Sequence, residues 1–153
     1  MSSWEDFERA EPDLAAFGRA RLDDKISYLA TIRTDGGPRV HPVSPWVAAG
    51  RLWLRMYPSS IKTTDLNRDP RFALHATVAD DTGGEGELAI RGTAVLVVDQ
   101  DSLATANRGK ADPERYCVFE LGLETIMATT YDGDQTTRRR WVASPSSPPA
   151  TAD

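Results

Sequence analysis

This 153-residue chain has one cysteine, two histidines and no apolar run approaching the ~20 residues of a membrane-spanning helix. A lone Cys117 cannot close an intramolecular disulfide, and its setting, Tyr116-Cys117-Val118-Phe119, reads as a buried structural thiol. His41 and His75 have no further Cys or His at ligand spacing, which excludes a zinc-type metal centre. Positive charge is scarce too: 18 Lys and Arg stand against 23 Asp and Glu, for a net charge of −5. The dense basic run, Arg138-Arg139-Arg140, alternates between the two faces of a strand, so it builds no stripe for nucleic acid. The N-terminal Trp4-Glu5-Asp6-Phe7-Glu8 lacks the basic start and apolar centre of a signal peptide, and the chain reads as cytoplasmic, with no membrane partner. Neither a Gly-x-Ser-x-Gly elbow nor a Ser-His-Asp grouping is present. The glycine-rich loop from Asp80 to Gly86 carries acids that repel phosphate.

What remains is the pattern of one β-rich domain. At 40% apolar and 27% charged residues, the chain has the composition of an ordinary globular protein with a real core. Ser3 with Asp6, and then Pro12, predict two short N-terminal helices, whose Trp4, Phe7, Leu14 and Phe17 fall on one face as a lid. Two hairpins follow. Tyr28–Arg33 turns through Asp35-Gly36-Gly37-Pro38 into Arg39–Val43, and Ala49-Gly50 turns into Arg51–Tyr57. Residues 60–68 predict a helix that Asp69-Pro70 ends. Phe72–Val78 and Glu87–Val98 read as strands, with Gly92 marking a bulge or bend. Residues 101–110 read as a short helix. Tyr116–Leu121, Thr125–Tyr131 and Gln135–Val142 read as three further strands, the last two joined at Asp132-Gly133-Asp134. The expected domain is 1–142, followed by a disordered Ser/Pro/Ala tail over 143–153. Many strands without β-α-β alternation predict a mainly antiparallel barrel.

Ser60-Ile61-Lys62 opens the predicted helix directly after the second hairpin. A hydroxyl, an ammonium and free helix N–H groups there suit a phosphate ester. Together with Arg39-Val40-His41-Pro42-Val43, the run Asp65 to Leu74, and the strand Glu87 to Gly92, this order resembles the flavin-binding split barrels of the pyridoxamine 5′-phosphate oxidase-like superfamily. The resemblance covers Leu29 to Val98, with an echo at Arg140-Trp141. It implies an antiparallel split β-barrel with a few short peripheral helices and a homodimer that binds FMN between subunits. It also implies hydride or electron transfer with a small-molecule substrate, by chemistry that needs no protein acid–base pair. The implied cofactor-binding residues are Arg39, Val40, His41, Pro42, Val43, Ser60, Lys62, Glu87 and Trp141; no catalytic residue is assigned. Ile61 stands where the family has an arginine in Ser-Arg-Lys, and Glu87 where it has a glutamine. Trp141 either stacks on the flavin of a partner subunit or plugs the barrel end. Two alternatives remain open: a deazaflavin-dependent reductase of the same superfamily, and a flavin- or haem-binding protein without turnover. Trp46, Trp53 and Trp141 offer aromatic surface for the expected dimer. The face-sharing rule for strands puts Arg39, His41 and Val43 on one side and Val40 and Pro42 on the other.

Overall fold

The computed structural model describes residues 1–106 and 115–144. Within them the chain forms α1 (Trp4–Ala10), α2 (Pro12–Leu22), β1 (Ser27–Ile32), β2 (Pro38–Val43), β3 (Trp46–Ala48), β4 (Arg51–Met56) and α3 (Ile61–Arg68). There follow β5 (Arg71–Ala76), β6 (Glu87–Leu96), α4 (Gln100–Ala106), β7 (Cys117–Asp132) and β8 (Gln135–Val142). All strand pairs are antiparallel, in the order β2-β1-β5-β6-β7-β4-β3, with β8 added to β7. The fold is therefore a mainly β, antiparallel split barrel with short helices at its edge.

Local chemistry accounts for most of these elements. Ser3 and Asp6 form a reciprocal capping box on α1, and Pro12 supplies the first residue of α2, where its missing N–H is not needed. The β3–β4 turn has positive φ at both Ala49 (48°) and Gly50 (69°), the twist a two-residue hairpin requires. Sequence reading passed over β3 because it is only three residues long.

The two strands expected at Tyr116–Leu121 and Thr125–Tyr131 are one, the 16-residue β7. The register of β6 against β7 shifts between Arg91 and Gly92, where Gly92 lies against Gly122, and a Cβ on Gly92 would collide with the Gly122 carbonyl. Two facing glycines let the ladder bend without breaking. The first part of β7 pairs with β4 and the last part with β8, so this strand joins the two halves of the sheet.

The main core holds Leu29, Leu54, Leu74, Ile90 and Ile126 from the inner face, closed by Trp4, Phe7 and Leu14 of the two N-terminal helices. A second cluster, Trp46, Ala48, Trp53, Ala106 and Val118, lies beneath α4. The indole N–H groups of Trp46 and Trp53 donate to the carbonyls of Ala106 (3.1 Å) and Ala48 (2.9 Å). Both rings are thus inside the subunit and supply no surface for a dimer. Cys117 is half-buried rather than buried, with its thiol donating to the Met56 carbonyl at 3.3 Å. The helix expected over 101–110 is seen to Ala106, and its remaining residues lie outside the described ones. So does the expected tail beyond Ser144; Ala143 still donates its N–H to Glu124. No helix among the described residues is long and apolar enough to cross a membrane.

Candidate functional site

α3 begins without a side-chain cap. Ser60 occupies the N-cap position in extended backbone (φ −68°, ψ 136°), yet its hydroxyl makes no capping bond, and the first turn contains no acid. The amides of Ser60 and Thr63 are used by the carbonyls of Tyr57 and Ser60, each at 2.9 Å. Helix geometry leaves the Ile61 and Lys62 N–H groups without intrahelical acceptors. The helix start therefore presents positive dipole and unused donors, the local conditions for holding an anion. Thr63 is buried and contributes instead to the fold: its hydroxyl donates to Tyr57 O at 2.9 Å.

β2 brings a second group of donors. Its exposure alternates, with Arg39, His41 and Val43 turned inward and Pro38, Val40 and Pro42 outward. Arg39 is opposite Thr31 on β1, and His41 is opposite Leu29. The Arg39 Nε–H donates to Asp65 Oδ2 at 2.8 Å, and the Thr31 hydroxyl donates to the same oxygen at 2.9 Å. Arg68 lies 3.7 Å from Asp65 Oδ1 and donates to the Ile32 carbonyl. Asp65 is only 4% exposed, so α3 is tied to β1 and β2 through a buried carboxylate. A buried charge of this kind persists only when paired and hydrogen-bonded.

His41 belongs to the same neighbourhood. Burial holds its pKa below the usual 6.5, and the charges of Lys62 and Arg39 push it further down, while Asp65 alone opposes them. The imidazole is therefore neutral at pH 7. Its Nε2 is buried with no hydrogen-bond partner among the described residues. Lys62 is half-buried and, among the described residues, has no carboxylate partner. Lys62 and Arg39 are the cations that act on His41 and Asp65 is the opposing carboxylate, a balance of one positive charge around a neutral histidine. Arg68, the last residue of α3, is engaged by Asp65 and the Ile32 carbonyl.

The structure does not gather all the expected site residues into this cradle. Arg39, His41 and Lys62 are close enough to interact electrostatically, and Ser60 is the N-cap two residues before Lys62. Val43 joins the main core, 6% exposed, while Val40 (60% exposed) and Pro42 point out from the opposite face. Glu87, half-buried at the start of β6, accepts a 2.7 Å hydrogen bond from the Tyr131 hydroxyl, which raises the pKa of that tyrosine. It makes no contact with the cradle among the described residues. Trp141 leans on Phe7 of α1, with ring centroids 5.1 Å apart, so within the subunit its ring packs against the lid. Asp65 was missed by sequence reading. The signal available was an acid spaced three residues from both Lys62 and Arg68, which looks the same as an ordinary solvated helix pair.

Solved structures share the architecture at low identity. The haem-binding protein of Mycobacterium smegmatis is 18% identical, with a TM-score of 0.63; the alignment covers 81% of this chain and 55% of that one, so this chain spans about half its length. PhzG from Burkholderia lata 383, solved with tetrahydrophenazine-1-carboxylic acid, is 17% identical, with a TM-score of 0.54 and coverage of 91% and 93%. An F420 reductase is 19% identical, with a TM-score of 0.54 and coverage of 69% and 90%. No curated protein matches the sequence. At such identities these likenesses concern the fold alone. The family model of pyridoxamine 5′-phosphate oxidase matches residues 15–131, which take in the whole cradle and well over half of the chain, and the chain belongs to that family.

Proposed function

We propose that this protein is a flavin-dependent oxidoreductase that holds the phosphate of FMN in the cradle at the start of α3. The observation that carries this reading is the charge and donor balance there. An uncapped helix start, the free Ser60 hydroxyl, a Lys62 with no carboxylate partner among the described residues and a net positive charge from Lys62, Arg39 and Asp65 suit a phosphate monoester, which carries close to two negative charges. Ser60, Lys62 and the Ile61 and Lys62 amides would hold the phosphate, with the terminal nitrogens of Arg39 beside it. His41, neutral, would lie further along the inner side of β2 from the phosphate. The flavin supplies the hydride or electron chemistry; the protein binds, orients and excludes water. Val40, Pro42, Glu87 and Trp141 would approach the cofactor only from a partner subunit.

A homodimer fits this reading. Val40, Tyr28 and Met127 expose apolar surface on the outer side of the sheet, beside a shallow, mainly apolar depression of about 230 Å³ whose lining includes Ala30, Ile32, Pro38, Phe72 and Ala73 together with Thr31 and Arg71. A second copy of the chain is the partner proposed for that face, in keeping with a family whose members are often dimers. The deazaflavin alternative uses the same cradle and is supported by the likeness to an F420 reductase.

Absorption spectra after mixing with FMN, with a deazaflavin coenzyme and with haem, each followed by desalting, test the assignment. A retained flavin or deazaflavin band supports it. Retention of haem alone, or of none of the three, refutes it.

A further inference from the structure

We propose that Asp65 is the positioning and specificity-determining residue of the cradle: it fixes Arg39 as a donor to a dianionic phosphate, so that the site separates a phosphorylated ligand from its dephosphorylated form. This inference rests on the reading of the cradle as a phosphate site.

The geometry makes Asp65 the hub. One oxygen, Oδ2, receives both the Thr31 hydroxyl at 2.9 Å and the Arg39 Nε–H at 2.8 Å, while Oδ1 faces Arg68 at 3.7 Å. Thr31 is 1% exposed and anchors the carboxylate from the centre of β1. Arg39 is engaged through Nε, so the fork of its terminal nitrogens is aimed while remaining available to a ligand. The Arg68 guanidinium is committed to the Ile32 carbonyl and to Asp65. Asp65 thus also offsets the repulsion between two arginines that would otherwise push Arg39 toward water. Without the carboxylate, Arg39 would regain its rotamers, and ordering them again would fall on ligand binding. A contact that aims one phosphate donor has no effect on a ligand without phosphate. That difference separates the proposal from a purely structural role, in which all ligands weaken together.

The test is fluorescence titration of wild type, Asp65→Asn, Arg39→Ala and the double variant with FMN and with riboflavin. Asp65→Asn keeps the shape and an acceptor oxygen but removes the charge. It is expected to lose about tenfold or more in FMN affinity, the effect of one charged hydrogen bond, with riboflavin unchanged. Because Asp65 acts through Arg39, the double variant is expected to bind FMN no worse than Arg39→Ala. Unchanged or tighter FMN binding by Asp65→Asn, parallel loss of both flavins, or losses that multiply in the double variant would overturn the proposal. Thr31→Val decides the matter if Asp65→Asn does not fold: it frees the carboxylate while keeping its charge, and a selective loss of FMN is again expected, with an unselective loss or none overturning the proposal. If wild type binds no flavin, the cofactor reading fails. Inorganic phosphate, followed through the His41 ring resonances, then tests Asp65 alone. A shift that is present in wild type and lost in Asp65→Asn sustains the proposal, and equal shifts or no shift overturn it.

Discussion

Replacing Lys62 by alanine removes the cation at the start of α3 while preserving the helix, since alanine is the best helix former. The net charge from Lys62, Arg39 and Asp65 falls from one positive charge to zero. A hydrogen bond to a charged group contributes about 1.5–3 kcal/mol. Because Lys62 is half-buried and partly screened by water, the lower part of that range applies. About 1.5–2 kcal/mol corresponds to a roughly 10- to 30-fold rise in the Kd for FMN. The loss should be largest above about pH 7, where the phosphate is a dianion, and smaller below its second pKa near 6. It should also shrink as salt is added, and riboflavin, which has no phosphate, should bind both proteins alike. Fluorescence titrations with the two flavins at low and moderate salt measure each of these quantities. Equal FMN affinities for the two proteins, or an equal loss for riboflavin, would show that Lys62 does not meet the phosphate.

Val40→Asp puts a charge on the exposed outer face and is expected to convert a dimer into a monomer with the melting temperature of an intact fold; light scattering of a variant that stays dimeric would assign the interface elsewhere. Gly92→Ala should destabilise the fold by about 1–3 kcal/mol, because its Cβ meets the Gly122 carbonyl, and a thermal melt indistinguishable from wild type would contradict that close approach. Trp141→Ala is expected to lower the melting temperature through its contact with Phe7 and to leave flavin affinity nearly unchanged; selective loss of flavin instead would give the ring a cofactor role. The pKa of His41 is held below 6.5 by burial and by Lys62 and Arg39, so the unfolded chain takes up that proton first as the pH falls. Its contribution to stability is therefore complete above about pH 6.5 and declines below it, and His41→Leu should flatten that part of the pH–stability curve; an unaltered curve would mean that the histidine titrates normally.

The sequence alone determined what depends on neighbours a few residues away. The capping box at Ser3 and Asp6, the hairpin turns at Gly36 and Ala49-Gly50, the helix start after Ser60 and the inward alternation of Arg39 and His41 are all set by short-range sterics and hydrogen bonding, which a sequence displays directly. The Gly92 bend was legible for the same reason. Tertiary structure decided the partners. The carboxylate that aims Arg39 lies 26 residues further along the chain and is anchored by a threonine 34 residues before it. Trp46 and Trp53, expected on the surface, are interior because α4 folds over them, and β7 is continuous because a second glycine lies across the ladder from the first. In each case the energy comes from burial against a distant element. A carboxylate on a helix looks solvated until the sheet that desolvates it is in place.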